Sequence, residues 1–167
     1  MGVQSFKEKD LHFLNRRHDR EQALRAVELC KENGIPNISI DLIYGLPGQT
    51  LEEWQENLDD AIHLEIPHIS AYHLIYEEGT ALYKLMEAGK VAPIEEELSV
   101  TLFSTLINRL AEAGYLHYEI SNFARPGYFS QHNSSYWTGK KYIGIGPSAH
   151  SYDCLLYTSP SPRDSTS

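Results

Sequence analysis

Residues 37–64, Asn-Ile-Ser-Ile-Asp-Leu-Ile-Tyr-Gly-Leu-Pro-Gly-Gln-Thr-Leu-Glu-Glu-Trp-Gln-Glu-Asn-Leu-Asp-Asp-Ala-Ile-His-Leu, change their hydrophobic pattern in mid-course. Asn37–Tyr44 is short, mostly apolar or β-branched, and bounded by Pro36 and Gly45. That predicts a strand covered on both faces. From Leu51 the apolar residues Leu51, Trp54, Leu58, Ala61 and Ile62 recur at helical spacing, which predicts a helix over about 51–64. Thr50 and Glu53 form a capping-box signature, in which hydroxyl and carboxylate satisfy free N–H groups at the helix start. Strand, tight loop and capped helix make one α/β unit.

The same alternation extends in both directions. A helix from Asp19 or Arg20 to about Asn33 puts Ala23, Leu24, Val27 and Cys30 on one face, and Gly34 and Pro36 stop it. His68–Ile75 reads as a second strand. Glu78-Gly79-Thr80 turns into a short helix ending near Gly89. A longer helix over about 94–113 presents Leu98, Leu102, Leu106 and Leu110 at i, i+4 spacing, with Gly114 beyond it. Leu116–Ser121 is expected as a third strand and Tyr142–Ile145 as a fourth. Such an order predicts a parallel sheet with outer helices. An open doubly wound sheet and a (β/α) barrel both fit it. A complete eightfold barrel takes about 250 residues, so a chain of 167 supplies only part of one. Gly2-Val3-Gln4-Ser5 resembles the end of a strand already under way.

Composition narrows the function classes. A hydrophobic fraction of 41% with 22% charged residues is that of an ordinary globular domain. The net charge of −9 argues against non-specific nucleic-acid binding, which needs a basic surface. No apolar run reaches the ~20 residues of a membrane span, and the N-terminus lacks a signal-peptide pattern, so the expected location is the cytoplasm. Two cysteines, Cys30 and Cys154, give neither a disulfide framework nor a paired zinc motif. Residues 154–167 turn Ser/Thr/Pro-rich and aperiodic, and read as a disordered, non-native tail after a domain spanning 1–153.

Several positions carry chemistry. Asp41 interrupts an apolar strand, and a buried carboxylate needs an ion-pair partner or a ligand. Gly45–Thr50 is either an ordinary βα turn or a helix N-terminus that receives an anion. Gly144-Ile145-Gly146-Pro147-Ser148-Ala149 imitates a dinucleotide fingerprint, but no βαβ unit with a ribose-binding acid follows. His132, Asn133, Tyr136 and Trp137 suit a flat conjugated ligand, since imidazole ligates heme iron and aromatic rings stack. An aromatic loop packed over the sheet end is the alternative. His68 and His73 fall on opposite faces of one strand, a poor metal pair.

The motifs Gly-Val-Gln-Ser-Phe at 2–6, Asn15-Arg16-x-His18, Asp41-Leu-Ile-Tyr-Gly-Leu-Pro-Gly-Gln-Thr, Tyr118-Glu-Ile-Ser-Asn-Phe-Ala, His132-Asn-x-x-Tyr-Trp and Gly144-Ile-Gly-Pro-Ser-Ala-His occur in order. Together they resemble the radical S-adenosylmethionine family, in its coproporphyrinogen oxidase-like heme chaperone branch. The resemblance covers about residues 1–153. It implies a partial (β/α) TIM-like barrel, with the N-terminal strands lying outside this sequence. It also implies an S-adenosylmethionine pocket touched by Gln4, Arg16 and Asp41, with Gln4 and Asp41 at strand ends and with backbone near Ile75 and His150 in its lining. His132, Asn133, Tyr136 and Trp137 match the motif associated with heme handling. Heme or a porphyrin is then the ligand, and heme-receiving proteins are the partners. The family holds a [4Fe-4S] cluster on a Cys-x-x-x-Cys-x-x-Cys loop. That loop is absent here, so the cluster would belong to a longer parent. Three functions remain open on this reading: heme chaperone, oxygen-independent coproporphyrinogen III oxidase, or a piece with no activity of its own.

Overall fold

The computed structural model describes residues 1–128, 151–153 and 156–158. They fall in two units, Met1–Tyr128 and Phe129–Ser167. In the first, the elements run α1 (Glu8–Phe13), α2 (Arg20–Glu32), β1 (Ser39–Tyr44), α3 (Leu51–His63), β2 (His68–His73), α4 (Ala81–Glu87), α5 (Glu96–Glu112), β3 (Leu116–Glu119) and β4 (Asn122–Ala124). In the second, β5 (Ser151–Asp153) pairs antiparallel with β6 (Leu156–Thr158). That places a strand inside the 154–167 stretch whose composition reads as disordered. The Leu155-Leu156-Tyr157-Thr158 run is its one apolar, β-prone segment.

Helix ends follow from local chemistry. Asp19 caps α2 with a full capping box, its carboxylate accepting from the Gln22 N–H while the Gln22 side chain accepts from the Asp19 N–H. Thr50 caps α3 by accepting from the Glu53 N–H at 3.2 Å, and its hydroxyl donates to the Glu53 carboxylate.

The four-stranded sheet of the first unit has the order β1-β2-β4-β3. Only β1 and β2 are parallel; β4 runs antiparallel to β2, and β3 antiparallel to β4. The expected parallel strand over 116–121 is therefore a hairpin that turns at Ile120-Ser121. The hairpin brings Phe123, fully buried, beside Ile69, where a straight strand would leave it outside the sheet. The expected strand at 142–145 lies outside the described residues.

One face of this sheet is covered by helices. Ile40, Leu42, Tyr44, Ile69, Ala71 and Phe123 share a core cluster with Trp54, Leu58 and Ala61 of α3 and with Leu102, Leu106 and Leu110 of α5. Trp54 ties three elements together. It is fully buried, stacks on Tyr44 with ring centroids 4.9 Å apart, and donates from Nε1 to the Leu102 carbonyl at 3.0 Å. A second tie is polar. Asn57 of α3 accepts from the Phe6 N–H and donates to Ser5 Oγ, both at 3.0 Å, and Ser5 donates to the Asp10 carboxylate at 2.7 Å. This buried network fastens residues 5–10 to α3. Burial pushes the Asp10 carboxyl above its ordinary range, against the lowering effect of the Ser5 hydrogen bond.

Trp54→Ala removes the ring and the second, indole donor to the Leu102 carbonyl. We expect it to lower the unfolding free energy by about 3–5 kcal/mol, with Trp54→Phe costing less. Urea titration followed by circular dichroism measures both, and a loss under about 1 kcal/mol for the alanine variant would contradict this role.

Candidate functional site

The sheet face away from the helices is polar. Along β1 the burial alternates, with Ile40, Leu42 and Tyr44 in the core and Ser39, Asp41 and Ile43 half-buried on the other side. The parallel register aligns Ser39 with His68, Asp41 with Ser70, and Ile43 with Tyr72. Through β4 it aligns Ser70 with Asn122, and through β3 Asn122 with Glu119. Directly paired residues point to the same face, so two polar rows cross the sheet.

The first row is a chain through a histidine. His68 Nδ1 lies 2.7 Å from Ser39 Oγ, and Nε2 lies 2.6 Å from the Tyr118 hydroxyl. Tyr118 arrives there because the ladder shifts register between His117 and Glu119. A bulge of this kind redirects a side chain. His68 is only 4% exposed. Burial holds its pKa below the ordinary imidazole value, against the raising influence of Asp41. The imidazole is thus biased to its neutral form, one ring nitrogen donating and the other accepting. The second row runs Ser70 Oγ to Asn122 Oδ1 at 2.6 Å, and Asn122 Nδ2 to the Glu119 carboxylate.

Asp41 stands at the β1 end of the second row and diagonally beside His68. Among the described residues no donor hydrogen-bonds its carboxylate, although it interacts electrostatically with His68. It occupies the third of six positions in β1, mid-strand rather than at the strand end expected from the sequence. The backbone carries it there, because pairing begins two residues earlier, at Ser39.

The N-terminal segment completes this edge. Gln4 forms a parallel bridge with Leu42. Its N–H donates to the Asp41 carbonyl at 2.7 Å, and its carbonyl accepts from the Ile43 N–H at 2.9 Å. Gln4 has φ +68°, a left-handed conformation that few non-glycine residues adopt and that tends to mark ligand sites. Arg16 Nη2 donates to the Gly2 carbonyl at 3.0 Å. A Cβ placed on Gly2 would lie 3.1 Å from both Arg16 Nη2 and Gln4 Nε2, so the two side chains converge over that glycine.

Gln4 and Asp41 are therefore joined through backbone, and the Gln4 and Arg16 side chains both approach Gly2. Ile75 follows the end of β2 and is 75% exposed. His132, Asn133, Tyr136, Trp137 and His150 lie outside the described residues. Reading the sequence alone missed the Ser39–His68–Tyr118 chain, the Asn122 row and the Asn57 network. His68 was visible only as one histidine facing away from its neighbour. His73 does lie on the opposite, helical side, with Nε2 3.0 Å from Ser99 Oγ and Nδ1 2.7 Å from the Leu74 carbonyl. A Cβ on Gly45 would meet that ring at 2.5 Å, and Gly45 has φ +80°, so this turn requires glycine on both counts.

Comparison with known proteins matches residues 1–61 to the Radical SAM superfamily. The chain is 38% identical to Heme chaperone HemW of Lactococcus lactis subsp. lactis, over 91% of its own length and 40% of that protein. It is 39% identical to the Radical S-adenosyl methionine domain-containing protein 1, mitochondrial, of Danio rerio, over 90% of this chain and 34% of that one. By these matches the chain is similar to proteins of the radical S-adenosylmethionine superfamily. Among solved structures, an Escherichia coli protein described as Coproporphyrinogen III oxidase (HemN), a Radical SAM enzyme, superposes with a TM-score of 0.77. It is 24% identical, and the match covers 95% of this chain and 39% of that one, which shows a shared fold. The chain spans 34–40% of the length of these curated relatives. Among the described residues no group of three or more His, Cys, Asp or Glu is placed to hold a metal ion. No described helix is long and apolar enough to cross a membrane.

Because burial lowers the folded-state pKa of His68, the unfolded chain binds more protons in that range. Its contribution to stability is present above the unfolded value of about 6.5 and is lost as pH falls through the lower folded value. Asp10, whose pKa is raised, acts in a more acidic window and with the opposite sign. Urea midpoints at pH 7.5 and 5.5 are therefore expected to fall more for the wild type than for His68→Gln. Equal falls would show that His68 is not buried in its neutral form.

Proposed function

We propose that this chain forms part of a radical S-adenosylmethionine protein of the heme-chaperone type, contributing one wall of the S-adenosylmethionine pocket and the heme-handling segment. The observation that carries the first half is Asp41, a half-buried carboxylate with no hydrogen-bond donor among the described residues. It lies beside the strained Gln4 and near the Gln4–Arg16 convergence. An amide, a guanidinium and a free carboxylate fit a ligand bearing hydroxyls, a cationic centre and a carboxylate.

Gln4, Arg16 and Asp41 would hold S-adenosylmethionine from this side, with backbone near Ile75 and His150 adding to the lining. Held there, S-adenosylmethionine would supply radical chemistry only together with a [4Fe-4S] cluster. The cluster itself does not fit this chain. Cys30 sits on α2, half-buried against the core, and with Cys154 it makes two thiols where three are needed. No step is assigned through it.

The heme half rests on His132-Asn133-x-x-Tyr136-Trp137 and on relatives named as heme chaperones. In this reading His132 ligates heme iron, Tyr136 and Trp137 stack on the macrocycle, and a heme-receiving protein is the partner. The cytoplasm is the proposed location, though the Danio rerio relative is named as mitochondrial.

Two binding measurements test the two halves. Calorimetric titration with S-adenosylmethionine is expected to show saturable binding that Asp41→Asn weakens at least about tenfold, the cost of losing a charge-assisted contact. Heme titration is expected to give a Soret shift at one equivalent that His132→Ala abolishes. An unchanged spectrum and stoichiometry in that variant would remove His132 from the site.

A further inference from the structure

We infer that His68 is a positioning residue for the ligand contact of Asp41, and that only its neutral form leaves that carboxylate free to bind. The inference deepens the reading of the S-adenosylmethionine pocket and rests on it. It starts from geometry. His68 is held at both ring nitrogens, by Ser39 on one neighbouring strand and by Tyr118 from the bulge of β3. It cannot swing away without breaking both hydrogen bonds. Asp41 lies diagonally across the β1–β2 register on the same face, within electrostatic reach.

Among the described residues the ionisable groups facing His68 are few. Asp41 comes from β1 and Tyr118 from β3. Glu119, in the next row, is engaged by Asn122. Gln4, Ser39, Ser70 and Asn122 are uncharged, and Arg16 donates to the Gly2 carbonyl with one of its nitrogens.

In the neutral ring one nitrogen donates and the other accepts, so Ser39 and Tyr118 are satisfied in complementary senses. A proton added to the ring makes both nitrogens donors. Both hydroxyls must then accept, and the new charge is drawn toward Asp41, whose carboxylate has no hydrogen-bond donor among the described residues. A ligand with a cationic sulfonium then meets a carboxylate already neutralised, and a like charge next to it. Ligand binding and His68 protonation are therefore antagonistic. By reciprocity the ligand must push the His68 titration midpoint lower.

The experiment is calorimetric titration of the chain with S-adenosylmethionine from pH 8 to pH 5.5, for wild type, His68→Gln and Tyr118→Phe. It is paired with imidazole NMR of His68 with and without ligand. Wild-type affinity is expected to fall about fivefold or more across that range, a coupling of ordinary size. His68→Gln should bind with a profile flat across that range, and the ligand should lower the His68 midpoint in the wild type. Tyr118→Phe keeps the imidazole but frees one side of it, and should reduce the steepness of the profile. A pH dependence that persists in His68→Gln, or wild-type binding that is flat with pH, overturns the role of His68 while leaving the pocket intact. If His68→Gln does not fold, an unmoved His68 midpoint on saturation of the wild type overturns it equally. No binding at any pH overturns the pocket reading itself, and this inference with it.

Discussion

The parallel register between β1 and β2 is the constraint on which the remainder depends. It sets Ser39 beside His68 and Asp41 beside Ser70, and it sends Ile40, Leu42, Ile69 and Ala71 to the helices. Side chains alternate along a strand, so a slip of one residue would exchange the two faces. Asp41 would then enter a core filled by Trp54, Leu58 and Leu106, where an unpaired carboxylate is strongly unfavourable. Ile40 and Leu42, both fully buried, would lose their cover. The two penalties act in the same direction, so the polar face is specified by the same forces that build the core.

Much of the frame was legible because it obeys periodicity. Strand and helix over 39–63, the α2 face with Ala23 and Val27, and the Leu102–Leu106–Leu110 stripe all follow from spacing, and each is found within a residue or two of its expected bounds. The hairpin of β3 and β4 was not legible. Its turn, Ile120-Ser121, has no Gly, Pro, Asn or Asp between the strands, and no residue there takes a positive φ. A bulge absorbs the geometry that turn residues usually supply. Helix α1 was likewise hidden, because its six residues carry Asp10 and Leu11 inward with no repeat to read. Asn57 was hidden by its position on an apolar helical face, where nothing in the sequence reports that Ser5 and Phe6 come to meet it.

The candidate site was legible as residue types and opaque as geometry. Asp41 stood out because a charge in an apolar strand demands an explanation. Gln4 and Arg16 were named by resemblance alone. Their spatial relation depends on a left-handed Gln4 and on a glycine at position 2 that both long side chains approach, and neither has a periodic signature. His68 was undervalued for the same reason. Its two partners come from positions 29 residues before it and 50 after it, so only the assembled sheet brings them together.

Among the described residues, the carboxylates of Asp41 and Glu119 on the polar face are not equivalent, and the difference orients the candidate site. Glu119 is met by Asn122, which is itself met by Ser70, so that end of the row is satisfied within the sheet. Asp41, at the β1 end, has no such donor among the described residues and has only the electrostatic neighbourhood of a neutral-biased His68. Half-buried charges without hydrogen bonds are costly unless something outside the framework supplies them. The framework also stores strain at that same edge, in the positive φ of Gln4, held by two backbone hydrogen bonds to the residues flanking Leu42. Unmet charge and backbone strain coincide at the β1 edge and not at the β3 edge. A ligand offering hydroxyls or positive charge would relieve the first and make use of the second. This asymmetry, rather than the number of polar side chains on the face, is the physical ground for proposing a ligand beside Gln4 and Asp41.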